Sequence, residues 1–171
     1  MQLRDLFDEF PLVKDDAYPI VLQNLLKEDL DVYRDVQRTE RLLLEARALL
    51  PERLEILIAL YKMYAYSYRT EESLALIDEV LERAAAQGGF SADWYQLQSD
   101  STCWSPAQGV ARVYLYTLKA RGFVLMRKGE LLQAIEVLHK LEELDPLDQV
   151  GGSVVRQMAD RLWEDEEADA A

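Results

Sequence analysis

The chain contains one cysteine and one histidine, Cys103 and His139, in 171 residues. A lone cysteine cannot form an intrachain disulfide, and one imidazole is too few for a multi-histidine metal site or a catalytic triad. His139 lies in the middle of a helix-forming run, where a structural role is its ordinary interpretation. We therefore expect no catalytic residue, no metal ligand set, no cofactor and no enzyme activity.

Glycine and proline are also scarce, with 7 and 5 residues respectively. Valine and threonine are few beside leucine, alanine, glutamate and arginine, which favour helices over strands. The length is typical of one domain, and hydrophobic residues make up 50% of it, enough for a sizeable core. The composition predicts a single all-α domain.

Long apolar runs are missing as well. Even LEILIALYKMYAYSY is interrupted by Glu55 and Lys62, whereas a membrane span needs about 20 apolar residues. The N-terminal MQLRDLFDEF carries acidic residues where a secretory signal has an apolar core. Lysine and arginine number 19 against 32 acidic residues, a formal net charge of -13. We expect a cytoplasmic protein that binds neither membranes nor nucleic acid.

A period of 34 residues relates two leucine-rich segments of the chain. The run RTERLLLEARALLPE contains the first of them, and a shift of 34 residues aligns it with the second. The shift places small residues on small ones and large residues on large ones: Thr39 on Ser73, Leu43 on Ile77, Ala46 on Val80, and Leu26 on Leu60.

The same unit is clearest in RGFVLMRKGELLQAIEVLHKLEELDP, residues 121–146. Gly122 fits a close contact between helices, and Gly129 fits a left-handed turn at a helix end. Ala134 fits a close helix crossing, and Asp145-Pro146 fits the end of the unit. In this register the segment resembles the tetratricopeptide repeat (TPR) family, whose unit is an antiparallel pair of helices.

The resemblance implies a TPR-like α-solenoid of three antiparallel helix pairs, at about 20–53, 54–87 and 115–148. An insertion at 88–114 precedes the third pair. Paired glycines after Gln87 end a helix there, and Ser105-Pro106 predicts a new helix from 106 to about 128. The aromatic residues of the insertion either pack on the solenoid or form an exposed anchor for a partner: Trp94, Tyr95 and Trp104.

Residues 151–163 follow the third pair and predict a capping helix. Its apolar residues share one face, which we expect to pack inward: Val154, Val155, Met158 and Leu162. An acidic tail, 164–171, is expected to be disordered.

Basic residues concentrate in one segment of this acidic chain. No acidic residue lies between Ser101 and Gly129, where five cations occur: Arg112, Lys119, Arg121, Arg127 and Lys128. On a helix, one stripe holds Arg112, Tyr116, Lys119, Phe123 and Arg127, which we call the basic-aromatic stripe. The opposite stripe is suited to packing and holds Val110, Tyr114, Leu118, Gly122 and Leu125.

The TPR resemblance implies that the exposed faces of the first helices line a groove that holds a partner protein. The third unit would contribute the basic-aromatic stripe. The first two would contribute Ile58, Lys62, Tyr66, Asn24 and Glu28. Tyr61, Tyr64 and Tyr68 share another face, which we expect to be core. Aromatic rings and long cations suit an acidic partner segment or surface. The alternative interpretation of the stripe is a solvated basic face.

Three functions remain open. The first is a non-enzymatic protein-binding adaptor or assembly factor. In size, acidity and helical repeats the chain resembles the nitrogenase-associated factor T family of nitrogen-fixing bacteria, which implies the molybdenum-iron nitrogenase as partner. The second is a chaperone similar to the TPR chaperones of type III secretion. The third is a metal or cofactor carrier that uses Cys103 as a ligand. The alternative interpretation of Cys103 is a packing residue.

Overall fold

The computed structural model describes residues 1–12, 20–27 and 29–171 and is all-helical, as predicted. In these ranges no strand forms beyond a single bridge between Gln2 and Asp31. Two short 3-10 helices lie at Leu3–Phe7 and Trp94–Gln96. The described α-helices are α1 (Ile20–Lys27), α2 (Val36–Leu49), α3 (Leu54–Tyr66), α4 (Thr70–Gly88), α5 (Gly109–Lys128), α6 (Leu131–Leu144) and α7 (Gly152–Ala170).

The helices can be compared with the three predicted pairs only by their positions along the chain. Helices α1 and α2 lie within 20–53, α3 and α4 occupy 54–88, and α5 ends and α6 begins around Gly129. The chain forms two compact units, Met1–Leu76 and Ile77–Ala171, with the boundary inside α4. Stacking of the three pairs as one TPR-like solenoid stays a prediction.

The first unit has its core around α3, where almost every side chain is buried. Leu3, Leu6 and Phe7 of the first 3-10 helix are buried as well, and the backbone N–H of Leu3 donates to the carbonyl of Leu30 at 2.9 Å. No sequence pattern indicated that the N-terminus belongs to this core. The core also contains Ile58, only 1% exposed, so its predicted place on a groove floor is wrong.

The tyrosines of α3 are divided between core and surface. Tyr61 and Tyr64 are buried, as predicted, whereas Tyr68 is 75% exposed. Helix α3 ends at Tyr66, and Tyr68 adopts a left-handed backbone with φ of 59°. The helical spacing that grouped Tyr68 with the other two no longer applies beyond the helix end.

A polar cluster holds α2 to α3 in the first unit. Glu40 accepts a hydrogen bond from the Tyr64 hydroxyl at 2.8 Å and another from the Arg69 guanidinium at 2.8 Å. The guanidinium also lies 4.4 Å from the centroid of the Tyr64 ring. The hydrogen bond from Arg69 is the main cause that lowers the pKa of Glu40. Burial is the main cause that raises the pKa of Tyr64 to about 12, and the hydrogen bond to Glu40 is the second cause.

Glu40→Gln should reduce stability at neutral pH by about 1 kcal/mol, because the ionised carboxylate makes charge-assisted hydrogen bonds that an amide lacks. A carboxylate whose pKa is lowered by folding stabilises the folded state at every pH above the pKa that the group has in the unfolded chain. That contribution is lost as the pH falls through the folded value. The difference between wild type and Glu40→Gln should therefore shrink below pH 4.5, the ordinary value for glutamate. Urea unfolding followed by far-UV circular dichroism across this pH range measures it.

The control is Glu45→Gln, which changes an exposed glutamate of the same helix. It should alter stability by less than about 0.5 kcal/mol at any pH. A loss in Glu40→Gln that stayed constant from pH 7 to pH 3 would contradict the assigned role of the charge.

The second unit is built on the antiparallel pair α5 and α6. Gly122 lies against Leu138, so that an added Cβ would come within 2.5 Å of the leucine Cγ. Gly129 ends α5 in a left-handed conformation with φ of 90°, and Ala134 is fully buried. Helix α6 ends at Leu144, directly before Asp145-Pro146. Each of these residues occupies the local position that its spacing predicted.

Helix α5 begins at Gly109 rather than at residue 106 as predicted. The backbone N–H of Ala107 donates to the side chain of Gln149 at 2.7 Å, and Gln108 is extended with φ of -137°. Because residues 106–108 serve a contact with another loop, the helix starts after them.

Helix α7 packs on a different side from the one predicted, although Val155 of the predicted face is half-buried. Its buried residues are Gly152 and Ala159, and a Cβ at Gly152 would lie 2.5 Å from Cδ2 of Leu141. The two small residues allow a close approach that longer side chains would prevent. Three of the residues expected inside are exposed instead: Val154, Met158 and Leu162. The acidic tail expected to be disordered continues α7 to Ala170.

Candidate functional site

The candidate site is the basic-aromatic stripe of α5. Its five residues are all half-buried, while four of the five on the opposite stripe are buried: Tyr114, Leu118, Gly122 and Leu125. The division of α5 into a packing face and a partly open face is therefore confirmed. The structure brings the five side chains into one row, as a helical spacing of three and four residues requires.

The N-terminal part of the stripe is attached to the turn at 145–150. The Lys119 ammonium donates to the carbonyl of Val150 at 2.6 Å and lies 4.3 Å from the centroid of the Tyr116 ring. Arg112 donates to the carbonyl of Gln149 at 3.5 Å, a longer and weaker contact. Lys119 thus has a structural task within the chain, whatever it contributes to binding.

The C-terminal part of the stripe lies at the end of α5. The Arg127 guanidinium is 5.4 Å from the centroid of the Phe123 ring, within range of a cation–π contact. Arg127 and the exposed Lys128 occupy the last turn, where cations are favoured by the helix dipole. The remaining cation of the segment, Arg121, forms an ion pair with Asp78. The most accessible positive charge is therefore at the 127–128 end.

The turn at 145–150 is organised by two residues that no sequence pattern marked as part of the site. Asp145 is 4% exposed, and its carboxylate accepts from the backbone N–H groups of Gln149 and Val150 at 3.0 and 3.1 Å. The Gln149 side chain donates to the carbonyl of Trp104 at 2.9 Å. Only the helix end at Asp145-Pro146 could be anticipated from the sequence, because Gln149 bonds to Trp104, a residue 45 positions away.

Trp104 of the insertion is packed inside the second unit. This side chain is 4% exposed and donates from Nε1 to the carbonyl of Gln98 at 2.9 Å. Its ring makes an edge contact with Phe90 and a tilted one with Tyr114. The ring centroids of Phe90 and Trp104 are 5.2 Å apart. Trp104 is therefore a core residue, and its alternative role as an exposed anchor is wrong.

Trp94 and Tyr95 form an aromatic pair at the surface of the insertion. Trp94 is half-buried and stacks on Tyr95 with ring centroids 3.7 Å apart. The Tyr95 hydroxyl donates to Glu136 of α6 at 2.7 Å, and Tyr95 is 59% exposed. Hydrogen bonding to Glu136 is the main cause that raises the pKa of Tyr95. The pair presents aromatic surface to solvent, so Trp94 stays a predicted contact.

The predicted groove residues of α3 lie in the first unit. Lys62 donates to the carbonyl of Leu6 at 3.0 Å. Its burial lowers the pKa of the ammonium, an effect that nearby carboxylates oppose. Tyr66 is half-buried at the end of α3, and Asn24 of α1 is exposed. Glu28 lies outside the described residues. The groove across the repeat units stays a prediction.

The remaining chemically active side chains are isolated from one another. The Cys103 thiol is exposed and lies 3.4 Å from the carbonyl of Ser105, to which it donates. His139 is exposed and lies beside Arg156 and Glu142. In the described parts of the chain, no three side chains from His, Cys, Asp and Glu are grouped to hold a metal ion. Helices long and apolar enough to cross a membrane are likewise not found in those parts.

Comparison with known proteins finds one relative at useful similarity. Over 118 residues the chain is 30% identical to a protein of Azotobacter chroococcum mcd 1 named "Uncharacterized 19.8 kDa protein in nifW 5′ region". The alignment covers 68% of this chain and 66% of that protein, just under two thirds of its length. No family model and no solved structure matches the chain. The TPR resemblance therefore depends on the residues quoted above.

Proposed function

We propose that this chain is a non-enzymatic accessory protein of nitrogen fixation that acts in the cytoplasm by binding another protein. The observation that carries the proposal is the homologous protein whose name places it in the 5′ region of nifW. The all-helical fold supports it, because helix pairs commonly present surfaces for partner proteins. The TPR-like solenoid is part of the same proposal, supported by the helix boundaries and by Gly122, Gly129 and Ala134.

The binding surface in this proposal is the basic-aromatic stripe together with Trp94. Rings and long cations are frequent hot spots of protein interfaces. In a chain of net charge -13, a local positive row selects a partner with an acidic surface. The factor T resemblance makes the molybdenum-iron nitrogenase, in an immature or cofactor-deficient form, the partner to examine first.

Two measurements test the nitrogen-fixation role. Deletion of the gene should slow growth on dinitrogen and leave growth on ammonium unchanged. The tagged protein should retain the molybdenum-iron nitrogenase from extracts of cells fixing nitrogen. Arg127→Ala with Lys128→Ala should reduce this capture at least about tenfold, because both cations lie at the accessible end of the stripe. Lys119 is left intact because its bond to Val150 helps to hold the fold.

The matched control is Arg34→Ala with Arg41→Ala, which removes two exposed cations from the first unit. It should capture the partner as well as wild type does. Equal growth of the deletion strain on both nitrogen sources would contradict the nitrogen-fixation role. If the Arg127/Lys128 variant captured the partner as well as the Arg34/Arg41 control does, the stripe would not be part of the interface. Stoichiometric metal in the purified protein would favour the carrier function instead.

A further inference from the structure

Helix α7 carries an apolar row that the fold leaves open. Val154 is 61% exposed, and Met158 and Leu162 are each 43% exposed. The three residues follow one another at intervals of four, so they lie on one face of the helix. Three large apolar side chains in one exposed row are unusual on an acidic surface, where single exposed hydrophobic residues are the norm.

The row is separate from the face by which α7 is held in place. Gly152 and Ala159 are buried and define the packing seam. Arg156 also lies on the packing side, where it pairs with Glu142 of α6 at 3.7 Å and with Asp160 at 2.9 Å. Since a seam of small residues already fixes the helix, the exposed row is not required for its attachment.

An acidic run continues the row toward the C-terminus. It contains five exposed carboxylates: Glu164, Asp165, Glu166, Glu167 and Asp169. Asp165 and Asp169 follow Leu162 by three and seven residues, so they extend the same face. The end of α7 has no basic residue in its last turn. Because a helix C-terminus carries partial negative charge, these carboxylates weaken the helix end that they occupy. Helix stability therefore does not explain them.

We propose that this face of α7 is a docking surface for a cationic amphipathic helix of another protein. The apolar side of the partner helix packs on Val154, Met158 and Leu162, and its lysines and arginines lie along the acidic run. Helix-on-helix docking of this kind uses anchors at intervals of three and four residues. The positive charges of the partner also neutralise the unfavourable end of α7.

A second copy of this chain is the wrong occupant on grounds of charge. Two chains of net charge -13 repel one another, and a parallel pair of α7 helices would also bring the two acidic ends together. Three apolar side chains offer far less area than the roughly 1,600 Å² of a standard stable interface. A partner of opposite charge adds the attraction that this small apolar row lacks.

The test uses the full-length chain and an 18-residue peptide of leucine and lysine with all leucines on one helical face. A peptide of the same composition in scrambled order is the second probe. Met158→Gln with Leu162→Gln removes two anchors while keeping good helix formers. Leu44→Gln with Leu49→Gln is the matched control, because those leucines are 42% and 50% exposed on α2 in the first unit. Fluorescence anisotropy of labelled peptides measures binding.

We expect the amphipathic peptide to bind wild type at least about tenfold more tightly than the scrambled one, and the Met158/Leu162 variant to lose about tenfold in affinity. The Leu44/Leu49 control should stay within about twofold of wild type. Equal binding of both peptides, or equal losses in both variants, would overturn the proposal, since charge alone would then account for binding. Sedimentation showing a dimer that the Met158/Leu162 variant abolishes would also overturn it in favour of a second copy. The stripe on α5 takes no part in this test.

Discussion

Gly122→Val should lower the free energy of unfolding of the second unit by about 3 kcal/mol. A Cβ at this position would meet Leu138 at 2.5 Å from Cγ and 2.6 Å from Cδ2. Leu138 is 1% exposed and cannot move aside without displacing other core residues. In an open helix the replacement of glycine would stabilise by a few tenths of a kcal/mol, so close packing reverses the sign. Urea unfolding followed by tryptophan fluorescence reports on this unit, because Trp94, Trp104 and Trp163 all lie in it.

Two variants separate the contact from the helix itself. Ala120→Val, at a half-buried position of the same helix, should cost less than about 1 kcal/mol through helix propensity. Combining Gly122→Val with Leu138→Ala should cost at least about 1 kcal/mol less than the sum of the two single changes, because the valine fills space that the leucine vacates. Wild-type stability in Gly122→Val would show that α5 and α6 do not approach as closely as described.

Asp145→Ala should destabilise the second unit by about 3 kcal/mol, because it leaves buried donors without an acceptor. The carboxylate accepts from the Gln149 and Val150 backbones and from the Gln149 side chain at 2.9 to 3.1 Å. Those bonds hold the turn whose carbonyl groups accept from Lys119 and Arg112. Asp145→Asn keeps one acceptor oxygen and should lose about half as much. The same fluorescence-detected unfolding measures each variant.

Asp148→Ala is the control for this position. Asp148 is exposed and caps the start of α7, where it accepts from the hydroxyl of Ser153 at 2.5 Å and from the backbone N–H of Ser153 at 2.9 Å. These hydrogen bonds from Ser153 are the main causes that lower the pKa of Asp148. Loss of a helix cap should cost about 1 kcal/mol. If Asp145→Ala were no more harmful than Asp148→Ala, the buried carboxylate would not be the residue that organises the turn.

The candidate site could be predicted in part from the spacing of residues on α5. The row from Arg112 to Arg127 follows from the helical period alone, and the structure places it on the partly open face. The hydrogen bond from Lys119 to Val150 could not be predicted, since it joins residues 31 apart in sequence. That bond changes the design of a binding experiment, because a charge reversal at Lys119 would damage the fold as well as the surface.

Burial shows the same division between local and distant causes. The left-handed turn at Gly129 follows from glycine's backbone freedom, which requires no knowledge of neighbours. The TPR resemblance predicts Ile58 on a groove floor, and the sequence leaves Trp104 either packed or exposed, yet both are core residues. Their burial depends on which rings and helices come to lie beside them, and the printed sequence contains no local signal of that.

By itself the sequence determined the helical class, several helix ends and the two-faced character of α5. These properties arise from composition, helical periodicity and turn chemistry within a few neighbouring residues. Tertiary structure alone decided which face of α7 packs inward. There the close fit of Gly152 and Ala159 prevails over the larger apolar residues Val154, Met158 and Leu162. Steric fit between α6 and α7 overrides hydrophobicity because only small residues allow two helices to approach so closely.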